Sequence, residues 1–167
     1  TTESQCHREL ASGLSCPVGF KNGTSGDLKI AVDAIGAASN PHHFLSVTKE
    51  GRTAIVESTG NQFTHIILRG GNGEPNYSPD HVSQSASMLE KAGLRPNIMI
   101  DFSHANSYKT PSRQREVCDS VCDQLQAGER NVFGVMIESH LVEGAQKVIE
   151  GQELVYGQSI TDGCVGW

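Results

Sequence analysis

The sequence predicts an α/β fold of parallel strands joined by crossover helices, and three observations predict it. Short apolar runs of strand length alternate with longer segments of helical apolar spacing, strand–helix three times and then a fourth strand, once one hairpin is set aside. The four strands stand roughly thirty to fifty residues apart, the room a crossover helix needs. Each strand ends on charged or hydrogen-bonding residues, as the strands of an α/β active edge do. A complete barrel of eight such units needs roughly 250 residues, so four strands amount to half of one.

Taken in order, His7 to Leu14 carries a helical pattern that closes near Gly13, and Cys16 to Lys21 follows as a short strand. Asn22 to Asp27 is a polar, glycine-rich loop. Leu28, Ile30, Ala31, Ala34, Ile35 and Ala38 fall at helical spacing, with Asp27 as the expected N-cap and Asn40-Pro41 as the stop. Phe44 to Thr48 and Thr53 to Ser58 are β-rich runs joined by Lys49-Glu50-Gly51-Arg52, which makes a hairpin inserted at about 44–60. Thr64 to Arg69 is a buried strand, and the glycines of Arg69 to Pro75 bring its backbone close to another group.

Asp80 to Ala92 is a helix with Pro79 before it and Gly93 just past its end. Ile98 to Phe102 is the next strand, after which Ser103 or Asn106 is placed to cap a helix. Ser112 to Ala127 is helical, and Val132 to Ile137 is a strand that runs into Glu138. A small ribbon is expected around Leu154 to Tyr156, ahead of the terminal loop Ser159 to Cys164.

Composition narrows the function. At 167 residues with 37% hydrophobic content, the chain is sized for about one domain. A net charge of −6 without a Lys/Arg run argues against a nucleic-acid surface. No apolar run approaches the ~20 residues of a membrane span, and no signal-peptide pattern opens the chain. Five cysteines without a Cys-x-x-Cys pair read as reduced thiols of a cytoplasmic protein, Cys118 and Cys122 as small hydrophobes on one buried helix face. Both ends read as cut, so further residues or partner subunits, a homo-oligomer among them, are expected to cover the open strand edges.

In a parallel architecture the C-terminal strand ends share one face, which brings Lys21, Arg69, Asp101 with His104, and Glu138 to a common site. His104, Glu138 and Asp162 offer one imidazole and two carboxylates, a set suited to Mn²⁺, Fe²⁺, Co²⁺ or Zn²⁺. Lys21 and Arg69 supply positive charge, and the planar guanidinium suits phosphate or carboxylate. Metal plus cations point to a small anionic substrate such as a phosphate ester. Three alternatives stand beside this: Glu138 as an ion-pair partner of Arg69 or Lys21, His104 as a hydrogen-bonded core histidine, and Asp162 as a surface carboxylate. Asp101 is left unassigned, an ion pair with Lys21 or Arg69 being one reading of it. His42 and His43 read as helix-end or surface residues, His65 and His81 as structural, and His140 as a neighbour of Glu138. Neither a Ser/His/Asp triad order nor a dinucleotide Gly-x-Gly-x-x-Gly loop is present.

Seven segments in series carry a resemblance. Thr1-Thr2-Glu3-Ser4, Gly19-Phe20-Lys21-Asn22-Gly23-Thr24, Phe44-Leu45-Ser46-Val47-Thr48-Lys49, Ile67-Leu68-Arg69-Gly70-Gly71, Met99-Ile100-Asp101-Phe102-Ser103-His104-Ala105-Asn106, Gly134-Val135-Met136-Ile137-Glu138-Ser139-His140, and Ser159-Ile160-Thr161-Asp162 with Gly166-Trp167 resemble the type I 3-deoxy-D-arabino-heptulosonate 7-phosphate (DAHP) synthases. The resemblance implies a (β/α)8 TIM barrel, with residues 1–167 as the C-terminal half of that single domain, strands five to eight, plus the hairpin. It implies the condensation of phosphoenolpyruvate with erythrose 4-phosphate to DAHP and phosphate, the first step of the shikimate route to aromatic amino acids. Lys21 and Arg69 would hold phosphoenolpyruvate, with His104 beside its phosphate. His104, Glu138 and Asp162 would bind the metal, Asp162 also lying in the substrate site. Leu14, Ser15, Phe44, Ser46 and Val56 match positions lining a pocket for an aromatic amino acid inhibitor, while hairpin core remains the other reading of the same five.

The departure is in what the chain lacks. The family's fourth metal ligand is a cysteine, and more phosphate-binding basic residues lie in a Lys-Pro-Arg-Thr segment, both in the first half of the barrel. None of the five cysteines here sits in the matching context. The expectation is an aldol-type synthase when complete and an inactive piece alone. A non-catalytic half-barrel that binds a phosphorylated ligand or a partner chain is the alternative, and a metal-dependent hydrolase a third.

Overall fold

A computed structural model describes residues 2–167; Thr1, in the first of the matching segments, lies outside them. The chain runs α1 (Gln5–Ser12), β1 (Val18–Lys21), α2 (Lys29–Ala38), β2 (His43–Val47), β3 (Thr53–Glu57), β4 (Thr64–Leu68), α3 (Pro79–Lys91), β5 (Ile98–Asp101), α4 (Gln114–Gln126), β6 (Val132–Met136), β7 (Val142–Ala145) and β8 (Gln158–Ser159). Strands β1, β4, β5 and β6 form one sheet in that order, and each pairing is parallel. β2 and β3 form the separate antiparallel hairpin. This is an α/β fold on a parallel sheet, with each crossover helix leading to the next strand. No helix among the described residues is long and apolar enough to cross a membrane.

The strand periodicity of two sorts the side chains onto two faces. Phe20, Ile66, Leu68, Ile98 and Ile100 meet Ala31, Ala34 and Ile35 of α2, Val82, Ala86 and Leu89 of α3, and Val117 and Val121 of α4. Burying each large member of that set contributes about 1.5–3 kcal/mol. All of β4 is buried because strands flank both its edges and helices cover one face. The opposite face carries Lys21, Ile67, Met99 and Asp101 in adjacent registers. Gly19 leaves room there for neighbouring side chains: a Cβ on it would come within 2.6 Å of His65 Nε2, which would have to shift. On β6, Val135 pairs with Ile100 yet remains exposed, since no helix of the described residues covers that side.

Several element ends differ from the sequence expectation. α1 runs Gln5–Ser12 rather than His7 to Leu14. Leu28 occupies the cap position of α2, although Asp27 Oδ1 still accepts the Lys29 N–H at 2.8 Å. Neither Ser103 nor Asn106 caps a helix with its side chain; a 3₁₀ turn spans His104–Ser107, and Pro111–Arg113 forms another before α4. The ribbon pairs β7 with β8, and Leu154 to Tyr156 lies outside it, because a two-residue strand leaves no periodicity to read. Cys122 is exposed and only Cys118 packs against the core.

Candidate functional site

The face opposite the helices ends in a polar cluster centred on Asp101, the last residue of β5, whose side chain is fully buried. Its Oδ2 lies 2.7 Å from Lys21 Nζ at the end of β1. The same oxygen lies 2.8 Å from His104 Nδ1, three residues on. Oδ1 accepts the Ser103 N–H at 3.0 Å. Burial pushes the Asp101 carboxyl up, but hydrogen bonding by His104 and Lys21, with their charge, outweighs it and holds the group below its usual value. Lys21 therefore pairs with Asp101, as one reading of the sequence has it, and Glu138 pairs with neither Lys21 nor Arg69.

His104 takes a left-handed backbone with φ of 57°, a conformation uncommon outside glycine that recurs at functional sites. This turn folds Nδ1 back over Asp101 and leaves Nε2 facing outward. Nε2 is 3.6 Å from Glu138 Oε1 and 3.7 Å from Asp162 Oδ2. The three ligand atoms all lie within 4.8 Å of one another. Metal bonds of about 2.0–2.2 Å to N and O separate neighbouring ligand atoms by roughly 3–3.5 Å, so modest closure around a divalent ion suits this donor set.

Glu138 is held from three directions. Ser103 Oγ donates to its Oε2 at 2.6 Å. Buried Gln114, at the start of α4, clamps its peptide: Nε2 donates to Glu138 O at 3.0 Å and Oε1 accepts the Glu138 N–H at 3.1 Å. The Val165 N–H also donates to Glu138 O at 3.0 Å, which ties the terminal loop bearing Asp162 to the strand end. His140, expected beside Glu138, points away instead: it is exposed and its Nδ1 accepts the Leu141 N–H.

Arg69 follows β4 and forms no ion pair among the described residues. Its side chain lines a cleft of about 350 Å³ with Thr24, Asn72, Ala105, Tyr108 and Lys109. Three buried asparagines fix the backbone around it. Asn22 Oδ1 accepts the Arg69 N–H, Asn76 Oδ1 accepts the Gly70 N–H, and Asn106 Oδ1 accepts the Asn76 N–H. Gly71 lies so close to Gly26 that a Cβ would stand 2.0 Å from its nitrogen, the close approach the glycine run suggests. Ser103 and Asn106 stand in the polar cluster of the sequence, but the roles of Gln114, Asn22 and Asn76 had no signal beyond an amide in a loop or first helical turn.

Of the five positions matched to an effector pocket, three lie on one face of the hairpin and two follow α1. Phe44 and Val56 are cross-strand partners on the half-buried face of the hairpin, and Ser46 shares that face. Leu14 and Ser15 follow α1 and are exposed, next to Gly13, which packs near Phe44. His42 Nε2 lies 2.7 Å from Ala37 O at the end of α2, and Ser78 Oγ pairs with His81 Nδ1, both local structural contacts.

Comparison with known proteins adds a family and a length. The family model of the DAHP synthetase I family matches residues 1–167. The Phe-sensitive phospho-2-dehydro-3-deoxyheptonate aldolase of Escherichia coli (strain K12) is 62% identical over 167 residues, 100% of this chain and 47% of that protein. A Trp-sensitive phospho-2-dehydro-3-deoxyheptonate aldolase of Shigella flexneri is 52% identical, again over 100% of this chain and 48% of its own length. The solved structure of phospho-2-dehydro-3-deoxyheptonate aldolase from Francisella tularensis SCHU S4 matches with a TM-score of 0.93 and 53% identity, covering 99% of this chain and 48% of that one. The chain spans about half the length of the relatives it matches.

Proposed function

The chain belongs to the DAHP synthetase I family, and on that premise we propose that it forms part of an enzyme condensing phosphoenolpyruvate with erythrose 4-phosphate. In this reading residues 1–167 supply the second half, strands five to eight, of one (β/α)8 domain, with the hairpin inserted at about 44–60. Four parallel strands lying side by side in chain order support it, as does a match to about half of each relative.

The observation that carries the reading is the convergence of His104, Glu138 and Asp162 beside the Lys21–Asp101 pair. His104, Glu138 and Asp162 would hold a divalent metal, which when bound supplies a Lewis acid for the aldehyde oxygen of the tetrose. Lys21 and Arg69 bind the anionic phosphoenolpyruvate and present one face of its enol to the aldehyde. C3 of phosphoenolpyruvate forms the new bond to the aldehyde carbon, water adds at C2, and inorganic phosphate leaves as the C2 ketone forms. His104, next to both cation and metal ligands, borders the phosphate.

An aromatic amino acid acts as inhibitor at Leu14, Ser15, Phe44, Ser46 and Val56. The Phe-sensitive and Trp-sensitive names of two relatives support that, as does the half-buried hairpin face shared by Phe44, Ser46 and Val56. The test is phosphate release by the complete polypeptide with both substrates, with and without chelator. Release that needs both substrates and stops with chelator is expected; release from one substrate alone points to a hydrolase and sinks the proposal.

A further inference from the structure

We propose that Asp101 is a positioning residue that sets the tautomer of His104 and anchors Lys21 through the same oxygen, so that metal-facing and substrate-facing groups share one support. This rests on the reading of His104 as a metal ligand given above. Three observations carry it.

First, His104 Nδ1 is buried and makes no hydrogen bond of good angle, and Asp101 Oδ2, 2.8 Å away, is the acceptor within reach of a small turn of the ring. A carboxylate only accepts, so Nδ1 carries a proton, and in the neutral imidazole the Nε2 lone pair is then free. Second, Nε2 stands 3.6 Å and 3.7 Å from the Glu138 and Asp162 oxygens, beyond the reach of a good hydrogen bond. A lone pair facing a gap that a cation fits would sit this way; an N–H donor would close on one of the carboxylates. Third, Lys21 reaches from β1 across β4 to the same Oδ2 at 2.7 Å. Asp101 itself is tied down by the Ser103 N–H on Oδ1, and Asn106 Nδ2 donates to its carbonyl at 2.8 Å.

The variant that isolates the role is Asp101→Asn. Its Oδ1 keeps the Ser103 bond, while an amide NH₂ replaces the oxygen that faced Lys21 and His104. The imidazole must then accept at Nδ1 and carry its proton on Nε2, which blocks ligation, and Lys21 loses its counter-charge. Loss of such a partner weakens metal binding about 10–100-fold.

The experiment compares complete wild-type and Asp101→Asn polypeptides by Mn²⁺ titration, by KM for phosphoenolpyruvate, and by thermal melting. Imidazole ¹⁵N shifts of metal-free wild type report the tautomer directly. Expected are an Nδ1–H tautomer in wild type and, in the folded variant, Mn²⁺ affinity lower by about 10–100-fold together with a raised KM. A folded variant that melts lower but binds Mn²⁺ as wild type does has lost only structure, and the proposal falls. An Nε2–H tautomer in wild type overturns it even if the variant fails to fold. Wild type that neither binds Mn²⁺ nor releases phosphate counts against the proposed function, while the tautomer still decides the Asp101–His104 pairing.

Discussion

His65 shows how a single residue can make stability respond to pH. It is buried on β4, with its ring edge-on to Phe133 at 4.8 Å between centroids. Burial lowers its pKa below 6.5, and a backbone hydrogen bond at Phe63 only partly opposes that. The unfolded chain therefore takes up a proton near pH 6.5 that the native state refuses. Stability is complete above that value and falls as pH drops from it toward the folded pKa, where the loss levels off. Melting curves of the complete polypeptide should shift down between about pH 7 and pH 5, and His65→Leu should flatten that dependence. Equal slopes in both proteins would remove His65 as a source. The sequence marks His65 only as structural; its burial and aromatic partner arise only when β4, β5 and β6 lie side by side in the sheet.

At the scale of elements, the loops after β1, β4 and β5 are joined by asparagine side chains rather than by apolar packing. Asn76 is the middle of that chain: it accepts from Gly70, donates to Asn22 at 3.2 Å, and its own N–H is taken by Asn106. Asn76→Ala leaves the buried Gly70 N–H and a lone pair of Asn22 unpaired, each costing about 1–3 kcal/mol. A lower denaturation midpoint is expected, with KM for phosphoenolpyruvate raised because Arg69 precedes Gly70. An unchanged midpoint would mean that water replaces the amide without loss. Strand and helix identities along this stretch were legible from periodicity. The amide network was not, since its members are separated by dozens of residues and share no spacing rule. Helix ends were less legible than helix bodies: Pro111 diverts the start of α4 into a 3₁₀ turn that apolar spacing does not register.

Across the described residues, both edges of the four-stranded sheet are left without a neighbouring strand. β1 and β6 are edge strands, and Phe133 and Val135 of β6 and Ile137 just after it are exposed. On the proposed half-barrel reading, residues 1–167 expressed alone should release no phosphate from phosphoenolpyruvate and erythrose 4-phosphate, and supplying in trans the part of a relative that these residues do not match should restore release. A rate from the isolated piece would overturn the half-site reading. Element order, the parallel sheet, and the charged and polar residues at the strand ends were determined by sequence alone, because strand burial and helical periodicity are local properties that each segment carries by itself. Tertiary structure decided the partnerships. Asp101 rather than Glu138 takes Lys21, and Gln114 and Ser103 orient Glu138 toward His104. Those choices depend on strand register and on the left-handed turn at His104, which exist only once β1, β4, β5 and β6 lie side by side.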